Sequence, residues 1–139
     1  KTKGMEMLTN TQEINELNTD YSSKSILVVD DVQINYLLVK ALLKQTGAKV
    51  IWADDGFKAI DIVNSKRKID LVLMDYNMPG MDGSTTTKII KRKKKDLPVV
   101  LHSTYSNGLK LDNSVGVYND ILVKPVTSLM LLSIMKKYI

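Results

Sequence analysis

The chain has 139 residues, of which 44% are apolar and 25% are charged, and this composition predicts one globular domain with a short tail. It contains no cysteine, which excludes a disulfide framework and a thiolate metal site. No apolar stretch is long enough to span a bilayer, and no signal-peptide pattern is present. We therefore expect a cytoplasmic segment, either independent or part of a membrane-anchored parent chain.

The net charge of +5 comes largely from one basic run, Lys91-Arg92-Lys93-Lys94-Lys95. Cations at the end of a helix complement its dipole, whereas the same run on a nucleic-acid-binding protein would contact phosphates. No aromatic residues interleave the run, and no recognition-helix signature accompanies it. We favour a solvated helix end and expect no direct binding of nucleic acid.

Residues 1–23 are rich in Asn, Thr and Glu, which predicts a linker or tail before a domain over residues 24–139. Met7, Ile14 and Tyr21 recur every seven residues, with Leu17 between them. A short helical seam to an upstream domain or partner chain is therefore an alternative. Two heptads are few for such a seam, and we favour the linker.

Five short apolar runs alternate with helical patterns, which predicts an α/β fold with five parallel strands and a doubly wound (βα)5 order. The predicted strands are Ser25–Asp30, Lys49–Ala53, Asp70–Asp75, Val99–Ser103 and Asp120–Lys124.

The first predicted helix spans about residues 33–46 and ends at Gly47. Its apolar stripe, which we expect to face the core, comprises Ile34, Leu37, Leu38, Ala41 and Leu42. A second helix over about residues 56–66 is expected to bury Ala59, Ile60 and Val63, and a third follows over about residues 84–93.

The stretch from Thr104 to Asn119 has low helix propensity, so we expect a short or poorly ordered fourth helix there. The fifth predicted helix, over residues 128–138, has almost no polar face before Lys136. A surface helix normally has one, so either a partner covers this helix or the domain exposes an apolar patch. We expect partner docking or a homodimer through the fourth and fifth predicted helices.

Acidic residues follow two of the strands. Asp30 and Asp31 end the first apolar run, and Asp75 ends the third. The ligand site of an open parallel sheet lies beyond the carboxyl ends of its strands, so we expect the three carboxylates to converge. Like charges held close together are costly unless a proton or a cation neutralises them. Oxygen ligands suit Mg²⁺, with Mn²⁺ as an alternative.

The ends of the fourth and fifth strands add a hydroxyl and a cation. Ser103 can donate a hydrogen bond to a phosphoryl oxygen, and Lys124 can place a point charge beside an anion. Pro125 follows that lysine, so the Lys124–Pro125 bond is a candidate for a cis peptide. Each residue alone has a structural explanation, but their joint position at successive strand ends favours a phosphoryl site.

From about residue 24 onward the chain resembles a response-regulator receiver domain. The matching pieces are Leu27-Val28-Val29-Asp30-Asp31, Asp75-Tyr76-Asn77-Met78-Pro79-Gly80-Met81-Asp82-Gly83, Leu97-Pro98-Val99-Val100 leading to Ser103, and Lys124-Pro125. The resemblance implies a flavodoxin-like fold with strand order 2-1-3-4-5. It also implies that a histidine kinase or histidine phosphotransfer domain donates a phosphoryl group from phosphohistidine, and that the receiver catalyses the transfer.

The resemblance implies a role for each site residue. Asp75 would be the nucleophile and phosphoacceptor, while Lys124 and Ser103 would hold the phosphoryl oxygens. Asp31, Asp75 and the backbone carbonyl of Asn77 would bind Mg²⁺, with Asp30 acting mostly through water.

Two positions depart from the family pattern, and a third bears on the lifetime of the phosphoryl group. Ile121 stands three residues before Lys124, where the family's switch uses an aromatic ring, so the usual relay from Ser103 cannot be copied. Thr104 replaces a usually small residue. Tyr105 follows it, and our hypothesis is that this side chain shields the phosphoryl group from water and lengthens its lifetime.

Two further aromatic side chains lie near the predicted strand ends. Strand alternation points His102, the only histidine, away from the side of Ser103, so we expect a structural or surface residue rather than a second phosphoacceptor. Trp52 is expected to pack under the rim of the site.

The favoured context is the C-terminal receiver of a hybrid sensor histidine kinase, since the chain begins at Lys1 rather than Met and ends with the fifth predicted helix. A stand-alone response regulator is the second possibility. A metal-dependent phosphohydrolase would usually carry an acid–base carboxylate two residues after its nucleophile, where this chain has Asn77. A degenerate receiver acting only as a docking module conflicts with the complete acidic set.

Overall fold

The computed structural model describes residues 19–104 and 116–139. Expectations for Met7, Ile14, Leu17 and Tyr105, and for most of the predicted fourth helix, lie outside the described residues.

The core of the fold is a sheet of five parallel strands in the order β2-β1-β3-β4-β5, which confirms the predicted fold class and strand order. The strands are β1 (Ser25–Val29), β2 (Lys49–Ala53), β3 (Leu71–Met74), β4 (Val99–Thr104) and β5 (Asp120–Lys124). The central strands are fully buried because helices cover both faces of the sheet, and this explains why their sequences are continuous apolar runs rather than alternating ones.

The described helices are α1 (Gln33–Leu42), α2 (Gly56–Asn64), α3 (Gly83–Lys93) and α4 (Ser128–Tyr138), and a short 3-10 turn (Lys44–Thr46) follows α1. Helices α1 and α4 pack on one face of the sheet, where the core includes Val28, Leu73 and Val100. Helices α2 and α3 pack on the other, where it includes Leu27, Val72 and Leu101. Ala59 and Val63 of α2 are buried and Ile60 is half-buried, as predicted.

The prediction of which side chains of α1 face the core is wrong. Leu42 is half-buried, and the other four members of the predicted stripe are exposed: Ile34, Leu37, Leu38 and Ala41. The buried side chains are instead Val39 and Leu43. Polar and aromatic contacts hold α1 in this rotation about its axis, because Asn35 bonds to Asp30 and Tyr36 stacks on Trp52 at the sheet edge.

The last helix, α4, is covered by the domain itself, so the expected exposed apolar patch on it is wrong. Leu131, Leu132, Ile134 and Met135 are buried, and Leu129 and Met130 are half-buried. At its carboxyl end the Tyr138 hydroxyl donates to the Asn119 carbonyl (2.8 Å), and Lys137 pairs with Asp120 (2.9 Å). The many apolar side chains of α4 therefore form part of the core beside β5.

Tyr21 belongs to the packed unit, although it precedes the predicted boundary between residues 23 and 24. Its ring lies in the core shared by α1 and α4, and its amide donates to the Thr46 carbonyl (2.8 Å). The division of the chain into a linker and a domain stays a prediction. Among the described residues, no helix combines the length and the apolar character needed to cross a bilayer.

Candidate functional site

The acidic residues lie one position beyond the carboxyl ends of β1 and β3. The Asp30 amide donates to the Ala53 carbonyl (3.1 Å), and the Asp75 amide donates to the Val29 carbonyl (2.9 Å). These bonds continue the sheet pattern past each strand end. Because β1 and β3 are neighbours in the sheet, the two carboxylates are held side by side.

Asp30, Asp31 and Asp75 form a compact cluster, as predicted. One carboxylate oxygen from each lies within 4.8 Å of those of the other two. Asp30 is 1% exposed and Asp75 is 9% exposed, whereas Asp31 is open to solvent. The cluster therefore opens outward on the side of Asp31.

Asp30 is fixed by hydrogen bonds from several elements. Its Oδ1 accepts from the Val32 amide (2.9 Å), and its Oδ2 accepts from the Asn35 side chain (3.0 Å). Its backbone carbonyl accepts from the Trp52 indole (2.8 Å), and that ring stacks on Tyr36 of α1. The buried carboxylate is thus held rigidly, which suits a residue that must position other groups.

Lys124 reaches into the cluster from the end of β5. Its ammonium donates to Asp30 Oδ2 (3.0 Å) and to Asp75 Oδ1 (3.2 Å). The Lys124–Pro125 peptide bond is cis, as the sequence suggested. One ammonium therefore faces three carboxylates, and the cluster retains excess negative charge.

The raised pKa of Asp75 reflects its burial and this excess of negative charge. Burial is the main cause that raises the pKa of Asp75 to about 6, and the Asp30 charge adds to it, while Lys124 opposes both. A carboxylate that holds its proton this strongly lacks sufficient positive charge nearby. A divalent cation on the oxygens of Asp30, Asp31 and Asp75 would supply it, and an oxygen-only donor set suits Mg²⁺. The residues present therefore fit a magnesium site.

The loop after Asp75 brings α3 close to the site. Gly80 has a φ of +85°, which a residue with a Cβ adopts only with strain. A Cβ on Gly83 would lie 2.1 Å from the Asp75 carbonyl oxygen, so only glycine permits this approach. Asp82 then caps α3 by accepting from the Thr85 amide (2.7 Å). The glycines of the sequence motif thus have a direct steric reason.

Ser103 and Asn77 lie at the same edge of the sheet, whereas Ile121 lies near the start of β5. Ser103 is buried at the end of β4, and its hydroxyl donates to the Thr104 carbonyl (3.2 Å). Asn77 is exposed in the loop after Asp75. Ile121 is half-buried in β5 and packs against the core under α2 and α3.

His102 is a buried residue of the α1 side of the sheet. It is 3% exposed, and its Nε2 has no hydrogen-bond partner among the residues that the structure describes. Burial is the main cause that lowers the pKa of His102 to about 4, with the nearby Lys124 charge as the second cause. The expected structural role therefore fits, and the imidazole is neutral at physiological pH.

Sequence reasoning missed Asn35 and gave Trp52 no role. Both contact Asp30 from other elements, Asn35 from α1 and Trp52 from the end of β2. An amide side chain shortly after an acidic strand end was the available signal for Asn35. Nothing comparable in the sequence pointed to the indole.

Comparison with known proteins agrees with this geometry. The family model described as the response regulator receiver domain matches residues 26–136. The chain belongs to the response regulator receiver family. Receivers of hybrid kinases interact with histidine kinases or phosphotransfer domains, which fits the predicted class of partner.

Relatives of this receiver include sensor kinases and response regulators. It is 33% identical to the sensor histidine kinase GacS of Pseudomonas protegens over 120 residues, which cover 81% of this chain and 13% of GacS. Because this chain spans so small a part of that relative, the activity of a whole sensor kinase is not carried over to it.

Two solved receivers share the fold at a TM-score of 0.74 each. The regulator TrrA of Thermotoga maritima, solved in complex with Mg²⁺-BeF, is 32% identical, and the match covers 82% of this chain and 97% of TrrA. The receiver domain of sensor histidine kinase PA1611 of Pseudomonas aeruginosa, with a magnesium ion in its active site cleft, is 25% identical, with coverage of 83% and 96%.

Proposed function

We propose that this receiver accepts a phosphoryl group on Asp75 from the phosphohistidine of a histidine kinase or phosphotransfer domain. The observation that carries the proposal is the position of Asp75, whose carboxylate meets the Lys124 ammonium and lies beside two further carboxylates at the open sheet edge. Phosphoryl transfer depends on positioning and on charge stabilisation more than on acid–base chemistry, and this edge offers both.

In the proposed step, a carboxylate oxygen of Asp75 forms a bond to phosphorus. The phosphorus–nitrogen bond of the donor breaks, and its electron pair leaves with the imidazole nitrogen. The Lys124 ammonium and the Ser103 hydroxyl hold the phosphoryl oxygens. Asp31, Asp75 and the Asn77 backbone carbonyl would hold Mg²⁺, with Asp30 acting mostly through water. When bound, the cation would offset the repulsion between the carboxylates and the phosphoryl group.

An apolar patch beside the site offers the donor a place to dock. This patch, which we call the α1 patch, consists of Val32, Ile34, Leu37 and Leu38, which are 40–65% exposed. A cleft of about 400 Å³ next to it is lined by Leu38, Lys124 and Pro125 among others. Exposed apolar residues that border a reactive group commonly mark a protein interface. We propose that the donor domain packs on this patch while its phosphohistidine reaches Asp75.

The favoured parent is a hybrid sensor histidine kinase, because GacS is a sensor kinase with a matching segment. A stand-alone regulator is the alternative. A homodimer through the fourth and fifth predicted helices stays a prediction, and α4 would contribute the half-exposed Leu129 and Met130 to it. The absence of direct nucleic-acid binding and a cytoplasmic location also remain predictions.

Beryllofluoride, which imitates a phosphoryl group, tests whether these residues form one site. Fluorine NMR of the protein with Mg²⁺ and beryllofluoride is expected to give bound signals. Asp75→Asn removes the oxygen that would coordinate beryllium, so its bound signals should vanish. Lys124→Gln should weaken binding by roughly tenfold or more, the range for losing one charge-assisted contact.

The matched control is Asp61→Asn, which alters an exposed carboxylate of α2 and should bind like the unaltered protein. Bound signals that persist in Asp75→Asn would contradict the proposal.

A further inference from the structure

A second groove lies on the other side of α1, between this helix and the edge strand β2. It has a volume of about 640 Å³, and its apolar lining includes Leu37, Ala41 and Val50. Leu37 is 42% exposed, and β2 is an outer strand of the sheet. Within the described part of the chain nothing covers this apolar groove, and it is separate from the cleft that leads to Asp75.

Three lysines border this groove. Lys40 belongs to α1, Lys44 to the turn after it and Lys49 to the start of β2, and all three are exposed. None of them pairs with a carboxylate among the residues that the structure describes. Lys40 lies over the Tyr36 ring instead. The groove is therefore suited to an occupant that is apolar on one side and acidic on the other.

The amino-terminal residues of this chain have that composition. Residues 4–18 contain three glutamates, Glu6, Glu13 and Glu16, and no lysine, arginine or histidine. Between them lie Met5, Met7, Leu8, Ile14 and Leu17. The whole chain has a net charge of +5, so this acidic segment stands out in charge as well as in apolar spacing.

The segment joins the described part of the chain at the wall of the groove. Tyr21 is anchored by its buried ring and by its amide bond to the Thr46 carbonyl (2.8 Å). A Cβ on Gly47, which also lines the groove, would lie 3.2 Å from Ser22. The first described residues are therefore anchored beside the turn that carries Lys44, and the Lys49 amide donates to the Lys24 carbonyl (3.0 Å). A short tether gives a local concentration of about millimolar, which favours this segment over a separate partner.

We propose that residues 5–18 bind in this groove, with their apolar side chains on Leu37, Ala41 and Val50 and their glutamates near the three lysines. The segment would then cover the β2 side of α1. Val32, Ile34 and Leu38 would stay open to the phosphodonor, so the two sides of one helix would serve two occupants.

Paramagnetic NMR tests this placement, because the chain has no cysteine and a single engineered one takes the spin label. A label on Gln12→Cys should cause loss of the amide signals of Leu37, Ala41 and Val50, which return when the label is reduced. A label on Asp61→Cys, in α2 on the opposite face of the sheet, should leave these signals unchanged. Groove signals that keep their intensity with the Gln12 label would overturn the proposal.

Charge reversal separates specific docking from chance proximity. In the labelled protein, Glu6→Lys with Glu13→Lys and Glu16→Lys should restore the groove signals. Adding Lys40→Glu, Lys44→Glu and Lys49→Glu to that variant should bring the loss back. A loss that the first reversal leaves unchanged would count against the proposal.

Mixing two forms of the protein tests for binding between copies. One form carries the spin label without isotopes, and the other is isotope-enriched without the spin label. Loss of groove signals from the isotope-enriched form would mean that the segment binds a second copy, which contradicts docking within one chain. None of these readouts depends on phosphorylation of Asp75.

Discussion

At the scale of single residues, the site is governed by the balance of charge around Asp75. Three carboxylates converge, and Lys124 is the cation that contacts two of them. The buried Asp30 carboxylate accepts hydrogen bonds from Asn35, Val32 and Lys124. Asp75 pairs with Lys124 and accepts a backbone hydrogen bond from Tyr76, but burial and the Asp30 charge outweigh both, so its pKa is raised. A bound cation would therefore stabilise its charged form.

This imbalance predicts how stability depends on pH in metal-free protein. The pKa of Asp75 is about 6 when folded, above its ordinary value of 3.8, so the folded state binds this proton more tightly. Its contribution to the free energy of unfolding is therefore full below pH 3.8 and is lost as pH rises through 6. Asp75→Asn should remove this loss and gain about 2 kcal/mol over the unaltered protein at neutral pH.

Urea denaturation in a chelator at acidic and at neutral pH measures the effect, with Asp61→Asn as the control. An Asp75→Asn advantage of equal size at both pH values would contradict the assigned acidity. Because both proteins keep His102, its own titration cancels in the comparison.

The pKa of His102 gives a second, independent measure of burial in the same region. Its folded pKa of about 4 lies below the ordinary 6.5, so its contribution to stability is present above 6.5 and is lost as pH falls toward 4. As the only histidine, it gives one set of imidazole NMR signals. These signals should stay constant from neutral pH down to about 5 and shift only below that. A midpoint near the ordinary value would mean that the imidazole reaches water.

At the scale of elements, the sequence specifies the strands more firmly than the helix faces. A buried parallel strand such as β1 is apolar throughout, so its run of Ile26, Leu27, Val28 and Val29 identifies it without knowledge of its neighbours. The acidic, hydroxyl and lysine positions at the strand ends then follow from the topology. Hence the cluster of carboxylates with Lys124 could be predicted.

Helix α1 could not be oriented in the same way, because it carries two apolar stripes. Either stripe satisfies the helical period, and the choice depends on Asn35 and Tyr36, whose partners lie in other elements. For α4 the prediction of an exposed apolar patch failed for a different reason. A helix that is apolar nearly all round can be buried within its own domain.

A pair of truncations measures the orientation of α1. Leu43→Ala removes a fully buried side chain at its end and should lower the free energy of unfolding by about 2–5 kcal/mol. Ile34→Ala alters a side chain that is 65% exposed and should change it by less than about 0.5 kcal/mol. Urea denaturation of both variants provides the values. A larger cost for Ile34→Ala than for Leu43→Ala would mean that the predicted stripe, and not the observed one, faces the core.

At the scale of the whole molecule, α1 separates two surfaces. The cleft with Lys124 and Pro125 leads to the acidic cluster, whereas the groove with Lys44 and Lys49 faces the amino-terminal segment. A phosphoryl group on Asp75 would change charge only at the first surface. Under the proposed function, the outward signal would begin with the contacts of Lys124 and Ser103, and Ile121 lacks the aromatic ring that the usual relay of the family would need.

The account stands on Asp75 as the acceptor of one phosphoryl group, and the intact mass of the protein after incubation with acetyl phosphate and Mg²⁺ tests this most directly. The unaltered protein and the Asp61→Asn control should each gain one phosphoryl group, and a chelator should prevent the gain. Asp75→Asn should gain none, because it lacks the nucleophilic oxygen. A phosphoryl group on Asp75→Asn, or continued release of phosphate without a modified protein, would contradict the account.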